Sequence, residues 1–251
     1  MKKPSLKAIY EPSGAALEYA PLSVNLFTGC AHGCKYCYAP GVLRMDREAF
    51  HAAPVVRENV LDMLNRECEI LARAGDEREI LLCFTTDPYQ NNAEFLDVTR
   101  AALGILAAHE RPFTVLTKGG TRACSDFDIL KAAGARFGTS LVWYHDIYRA
   151  EHEPGAANVY DRIEAISVAH KMGIPTWVSL EPVMDTWQAR RVVNALYQLV
   201  DRWAIGIARG KMTAKRRADL VEFCRHVNAF VPPEKLQIKN SLKTIWEDAT
   251  R

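Results

Sequence analysis

Apolar positions along the chain fall into two patterns that take turns. Short continuous runs lie at Val24–Phe27, Ile80–Phe84, Phe113–Thr117, Phe137–Val142, Trp177–Leu180 and Trp203–Ile207, and each reads as a buried strand. Between them the apolar residues recur every three or four positions. Val55–Ala74 carries Val56, Val60, Met63, Leu64 and Leu71 on one helical stripe and stops at Gly75. Asn91, with Glu94 three residues on, predicts a capping-box start for a helix running to about His109. Ser125 opens a short helix to about Ala133, and Asn158–Met172 predicts another, closed by Gly173 with Pro175 beyond. Asp185 and Gln188 cap a helix to Val200, and Met212–Phe230 is a long amphipathic one.

Strand–helix alternation of this kind implies an α/β fold with a parallel sheet and right-handed crossovers. Six such units make an incomplete parallel (β/α)6 barrel. We place an N-terminal extension at 1–22, the barrel at 23–210 and a C-terminal helical extension at 211–251, packed on the barrel. In parallel barrels chemistry sits at the C-terminal ends of the strands. Polar groups occupy those positions here: a cysteine loop after the first strand, Thr85-Thr86-Asp87 after the second and Thr117-Lys118 after the third. Ser140 lies late in the fourth strand, and Glu181 follows the fifth.

The cysteine loop carries the sharpest chemical signal. Cys30, Cys34 and Cys37 lie within eight residues, spaced C-x3-C-x2-C, with Tyr36 just before the third. Soft thiolates suit iron–sulfur clusters, and three of them hold three irons of a 4Fe–4S cube and leave the fourth iron open. Zinc and plain buried thiols are the alternatives. Structural zinc wants four ligands, and Cys68, Cys83, Cys124 and Cys224 supply no second pair. His32 is a candidate fourth ligand, but it lies inside the loop and would strain it.

Composition narrows the setting. The chain has 251 residues, 49% of them hydrophobic, enough for a sizeable core. No apolar run reaches the roughly 18 residues of a membrane helix, so no membrane partner is expected. Met1-Lys2-Lys3-Pro4 lacks the apolar core of a signal peptide, and the seven cysteines are odd in number. A cytoplasmic, reducing location is the expectation, and it suits an oxygen-sensitive cluster. Net charge is only +2, but from Asp201 to Arg251 there are 11 Lys plus Arg against 6 Asp plus Glu. Arg209, Lys211, Lys215, Arg216 and Arg217 cluster there, followed by Lys235, Lys239 and Lys243. Such a region is a candidate nucleic-acid contact, although Asp219 and Glu222 interleave as on an ordinary solvated helix face.

The cysteine loop resembles the signature of the radical S-adenosylmethionine enzymes. The longer stretch from Asn25 through Pro40, and Thr85-Thr86-Asp87-Pro88-Tyr89-Gln90 with Glu94 after it, resemble the spore photoproduct lyase-related branch. The resemblance implies the radical SAM type of incomplete barrel, a 4Fe–4S cluster on the three cysteines, and S-adenosylmethionine chelated to the open iron. It implies reductive cleavage of that cofactor to methionine and a 5′-deoxyadenosyl radical, which abstracts hydrogen from a substrate. An external one-electron reductant, flavodoxin- or ferredoxin-like, is implied as partner. For this chain the resemblance assigns Tyr36 to the adenine, together with the strand backbone of Trp177–Leu180. It also assigns Thr117 and Lys118 to the ribose or carboxylate, Ser140 to the methionine end, and Arg162 to a bidentate grip on the carboxylate. Thr85 and Asp87 are candidates for the same site, with turn capping as the other reading of Asp87.

Cys83 has two readings. Spore photoproduct lyases resemble this chain in placing a cysteine on the second strand, where it returns a hydrogen atom to the product radical. Cysteine is also among the residue types that most often simply pack. If the resemblance extends to activity, the substrate is a damaged pyrimidine pair in DNA. The early position of the cysteines leaves little room for the region that such lyases carry ahead of the barrel. A radical enzyme acting on a protein or small molecule, and a non-catalytic iron–sulfur or zinc protein, are the competing expectations.

Overall fold

A computed structural model of the chain describes residues 7–208 and 210–250. Its first half contains β1 (Ile9–Tyr10), β2 (Leu22–Val24), β3 (Phe27–Thr28), α1 (Ala39–Leu43), α2 (Arg47–Ala52), β4 (Val55–Val56), α3 (Val60–Arg73), β5 (Ile80–Leu82), α4 (Ala93–Ala108) and β6 (Phe113–Thr117). Then come α5 (Phe127–Ala133), β7 (Arg136–Ser140), α6 (Asp146–His152), α7 (Val159–Lys171), β8 (Thr176–Leu180), α8 (Thr186–Leu196), β9 (Arg202–Ile205), α9 (Ala214–Phe230), β10 (Leu236–Ile238) and α10 (Asn240–Thr250).

The sheet order is β1-β2-β5-β6-β7-β8-β9-β10. Every neighbouring pair from β2 to β10 is parallel, and β1 alone is antiparallel. The two ends of this sheet do not pair with each other among the described residues, so the barrel is incomplete as expected.

Helices cover one face of the sheet. Leu64, Cys68, Leu103, Leu106, Ile166, Val192 and Phe223 pack there against Val24, Leu82, Val115, Phe137, Val178 and Ile205 in the main core. The alternate strand positions face the interior, where Leu81, Trp177 and Ala204 gather with Tyr19 and Ala20. Trp177 lies across Gly138, where any Cβ would fall 2.2 Å from its Nε1, and that nitrogen donates to the Val115 carbonyl at 3.0 Å.

Several expectations change in detail. The first strand divides: Leu22–Val24 joins the sheet, whereas Phe27–Thr28 forms an antiparallel ladder with Val55–Val56. Asn25 makes the break. Its Oδ1 accepts the backbone N–H groups of Phe84 and Thr85, both at 2.9 Å, and its Nδ2 donates to the Tyr10 hydroxyl. Because Val55–Val56 is strand, the first long helix starts only at Val60, after Asn59 at φ 53°. Asn92, not Asn91, caps α4, accepting from Phe95 N at 3.2 Å. The C-terminal segment is more than helical. Leu236–Ile238 adds a seventh parallel strand beside β9, half-buried along its length, which hides its pattern.

Candidate active site

The loop that carries the three cysteines follows β3 and is held from several sides through its backbone. Cys30 N donates to the Phe50 carbonyl at 3.1 Å, and His51 Nδ1 meets the Cys30 carbonyl at 2.8 Å. Gly29 makes the close approach to α2 possible: its φ is +91°, and a Cβ would sit 2.7 Å from the Phe50 carbonyl oxygen. Arg47 donates to the carbonyls of Cys34 at 3.2 Å and Cys37 at 2.5 Å. The buried Gln90 side chain accepts from Ala31 N at 2.7 Å. From the opposite wall, Lys35 N donates to His152 O at 2.9 Å, and Gly155 N to His32 O at 3.0 Å.

Asp87 is the buried hub between the loop and the strand ends. Its carboxylate accepts from the Thr117 hydroxyl at 2.6 Å, Lys118 N at 2.7 Å and Tyr89 N at 2.8 Å, and His32 Nδ1 stands 3.3 Å away. Burial alone would raise its pKa, yet the His32 ring and these donors hold it well below the usual carboxylate range. Both oxygens are thus engaged within the protein, and its role in the described structure is to lock β5, β6 and the cysteine loop together. Thr117 is half of the same lock, its hydroxyl also accepting from Gly119 N at 2.7 Å. Thr85 lies half-buried at the β5 exit, fixed by its backbone to Asn25.

A second buried cluster stands beside the loop. Arg162 is fully buried; it donates to the carbonyls of Ala157 at 2.9 Å and Ser140 at 3.0 Å, and its remaining nitrogen lies 2.6 Å from Glu153 Oε2. Tyr36 donates its phenol to Glu153 Oε1. The Lys118 ammonium lies 5.8 Å from the Tyr36 ring centroid and makes no ion pair among the described residues. Burial opposes its charge, but the Cys34 sulfur and the Glu153 carboxylate raise its pKa. Tyr36, Lys118, Ser140 and Arg162 are therefore brought together as the sequence suggested, with one difference: the carboxylate that Arg162 grips is Glu153. Sequence reasoning missed Glu153 because Glu153-Pro154-Gly155 reads as a solvated turn.

Cys83 lies elsewhere. β5 ends at Leu82, so strand alternation does not carry Cys83 onto the interior face with Leu81. It is buried in the main core, beside Leu26 and Thr86. Burial pushes its thiol up to about 12. That placement matches packing.

The donor set fits a cluster. Cys30 and Cys34 are buried and Cys37 half-buried. Burial pushes the Cys34 thiol up to about 12 and raises that of Cys30 as well; ligation to a metal would favour the thiolate and displace those protons. Among the described residues no three His, Cys, Asp or Glu side chains converge on a single metal ion. A cube takes one thiolate on each of three irons and asks for no such convergence.

Residues 24–192 match the family model of the Radical SAM superfamily. The chain belongs to the radical SAM superfamily. It is 30% identical over 208 residues to an uncharacterized protein of Mycobacterium tuberculosis, covering 78% of this chain and 59% of the relative. It is also 22% identical over 163 residues to an uncharacterized protein of Methanocaldococcus jannaschii, covering 64% and 60%. The chain thus spans about three-fifths of the curated relatives it matches. Among solved structures, a spore photoproduct lyase mutant is similar with TM-score 0.68 and 14% identity, over 93% of this chain and 79% of that one. A form of that lyase with bound AdoMet and dinucleoside spore photoproduct gives 0.63 and 17%, over 94% and 67%. Streptococcus suis SuiB bound to S-adenosylmethionine gives 0.62 and 13%, over 90% and 49%. At these identities the likeness is one of fold. The radical SAM superfamily is one of enzymes that work with a 4Fe–4S cluster and S-adenosylmethionine. No helix among the described residues is long and apolar enough to cross a membrane.

Proposed function

We propose that Cys30, Cys34 and Cys37 hold a 4Fe–4S cluster at which the chain cleaves S-adenosylmethionine reductively. When bound, the cluster supplies the electron and the cofactor supplies the 5′-deoxyadenosyl radical that abstracts hydrogen from a substrate. One observation carries this reading: three thiols on one tightly braced loop lie beside a half-buried cation, Lys118, that makes no ion pair among the described residues. Lys118 takes the cofactor's carboxylate, a charge-assisted contact. Ser140 lies beside the same end, and Tyr36, braced by Glu153, lies along the adenine. The interior face, floored by Tyr19 and Trp177, keeps water from the reacting atoms. An external one-electron reductant, flavodoxin- or ferredoxin-like, is the partner. The test is anaerobic reconstitution, then dithionite and S-adenosylmethionine. We expect 5′-deoxyadenosine; none from a fully loaded cluster would establish a non-catalytic iron–sulfur protein instead.

The substrate has two readings. The fold likeness to a lyase solved with a dinucleoside favours nucleic acid. The basic C-terminal region favours it less than its composition suggests. Arg217 pairs with Asp248 at 2.9 Å, Lys235 with Asp201 at 3.5 Å and Lys243 with Glu247 at 3.6 Å, while Lys239 is buried against Glu181. Arg209 lies outside the described residues. Lys211, Lys215 and Arg216 are left for phosphates, and this reduced set favours the second reading, a protein or small-molecule substrate. Charge reversal at Lys215 and Arg216 decides between them: a loss of DNA binding supports the first, unchanged behaviour towards DNA the second.

A further inference from the structure

The half-buried Lys118 and the buried Arg162 stand beside the cysteine loop, and the Glu153 carboxylate stands with them; the other carboxylate there, Asp87, is engaged by His32, Thr117 and the Lys118 backbone. Glu153 is fully buried, and its oxygens meet Arg162 and the Tyr36 phenol. Tyr36 lies between two of the cysteines in the chain, so the carboxylate is tied to the loop itself. The segment that bears Glu153 is fastened on both sides. Glu153 N donates to Arg149 O at 2.7 Å, and the His152 and Gly155 backbones bond the loop at Lys35 and His32. At Gly155 a Cβ would fall 2.2 Å from the Ala31 carbonyl oxygen, so the contact needs glycine. A free surface glutamate would need none of this. Charged forms are retained here because burial, which favours a neutral carboxyl, is outweighed first by Arg162 and then by Lys118.

We infer that Glu153 is a positioning residue that sets the charge beside the cluster, an inference that rests on the cysteines holding one. Its carboxylate cancels Arg162, which leaves Lys118, half-buried and without an ion pair among the described residues, for the one carboxylate of the cofactor. The same negative charge disfavours the arrival of an electron on the neighbouring metal centre, because cluster potentials follow local charge and burial. Glu153 therefore holds the bound cluster at a more reducing potential than the two cations alone would allow.

The experiment is a redox titration of the reconstituted protein, followed by the electron paramagnetic resonance of the reduced cluster with no S-adenosylmethionine present. Glu153→Gln shifts the midpoint to less negative potential. Arg162→Gln, which leaves the carboxylate unopposed, shifts it to more negative potential. Glu153→Gln with Arg162→Gln removes a neutral pair and returns the midpoint close to wild type. The double variant also guards against a single variant that does not fold, because breaking a buried pair costs more than deleting it. Glu153→Asp, which keeps the charge, stays nearer wild type than Glu153→Gln. Equal midpoints across loaded variants overturn the inference and leave the proposed function standing. A wild-type protein that assembles no 4Fe–4S cluster overturns the proposed function, and the inference with it.

Discussion

In the loops that follow β5, β6 and β7, the buried carboxylates of Asp87 and Glu153 are bonded to groups that also touch the cysteine loop. After β8 and β10, the Glu181 carboxylate is bonded to Lys239 at 2.6 Å, and Tyr19 donates to the same oxygen. None of these three bonds the cysteine loop among the described residues. Lys239 also lies 3.8 Å from the Tyr19 ring centroid, and Tyr19 meets Ser179 at 2.8 Å. The two halves of the mouth thus use the same chemistry, buried charge neutralised by a close partner, for different ends. One half positions the loop that bears the three cysteines. The other fastens the last strand to the segment ahead of β2. Position in the barrel mouth alone therefore does not mark a residue as catalytic; what it is bonded to decides.

The comparison breaks most severely at Cys34. Cys34→Ala is expected to abolish both the brown chromophore and cofactor cleavage, read by absorbance and by 5′-deoxyadenosine; a variant that keeps both refutes the ligand assignment. Next comes Lys118→Met, expected to weaken S-adenosylmethionine binding by about tenfold or more, the loss of a charge-assisted contact. Calorimetric titration of the loaded protein checks it.

Lys239→Met probes the other half. It leaves Glu181 without its cation and is expected to cost about 3 kcal/mol, the lower end for a broken buried pair because Glu181 is partly exposed. For a chain of this size that lowers Tm by roughly 6–12 °C. The cluster chromophore at low temperature should survive, and its loss would erase the distinction between the halves.

The smallest effect concerns pH. Asp87 has a depressed pKa in the folded protein, so its contribution to stability is full above the ordinary aspartate value of about 4 and fades as pH falls below it. Asp87→Asn should flatten the acid side of a plot of Tm against pH.

Much of the fold was legible because its strands are continuous apolar runs. Phe113–Thr117 and Trp177–Leu180 stand nearly where their sequences place them, and Asn158 and Asp185 cap the helices they were expected to cap. What stayed hidden was short or two-faced. Val55–Val56 has the apolar character of a helix stripe, and only its pairing with Phe27–Thr28 makes it strand. Leu236–Ile238 is half-buried throughout, so no alternation shows. At the site, the three cysteines were evident from spacing, and Tyr36, Lys118, Ser140 and Arg162 do gather near them. The buried charges Glu153 and Lys239 escaped because each sits in a run of polar residues that reads as solvated surface. Long-range partners make them interior, and sequence spacing holds no trace of those partners.

Glu18 reaches across the open side of the barrel: its carbonyl accepts from Gln237 Nε2 at 2.6 Å and its carboxylate from Asn240 N at 2.8 Å. These partners are more than 200 positions apart in the chain. During synthesis the ribosome must therefore release almost everything described here before Glu18 can dock. Until then the inner wall stays uncovered on that side, and any step that needs this clasp must wait for the chain as far as Asn240.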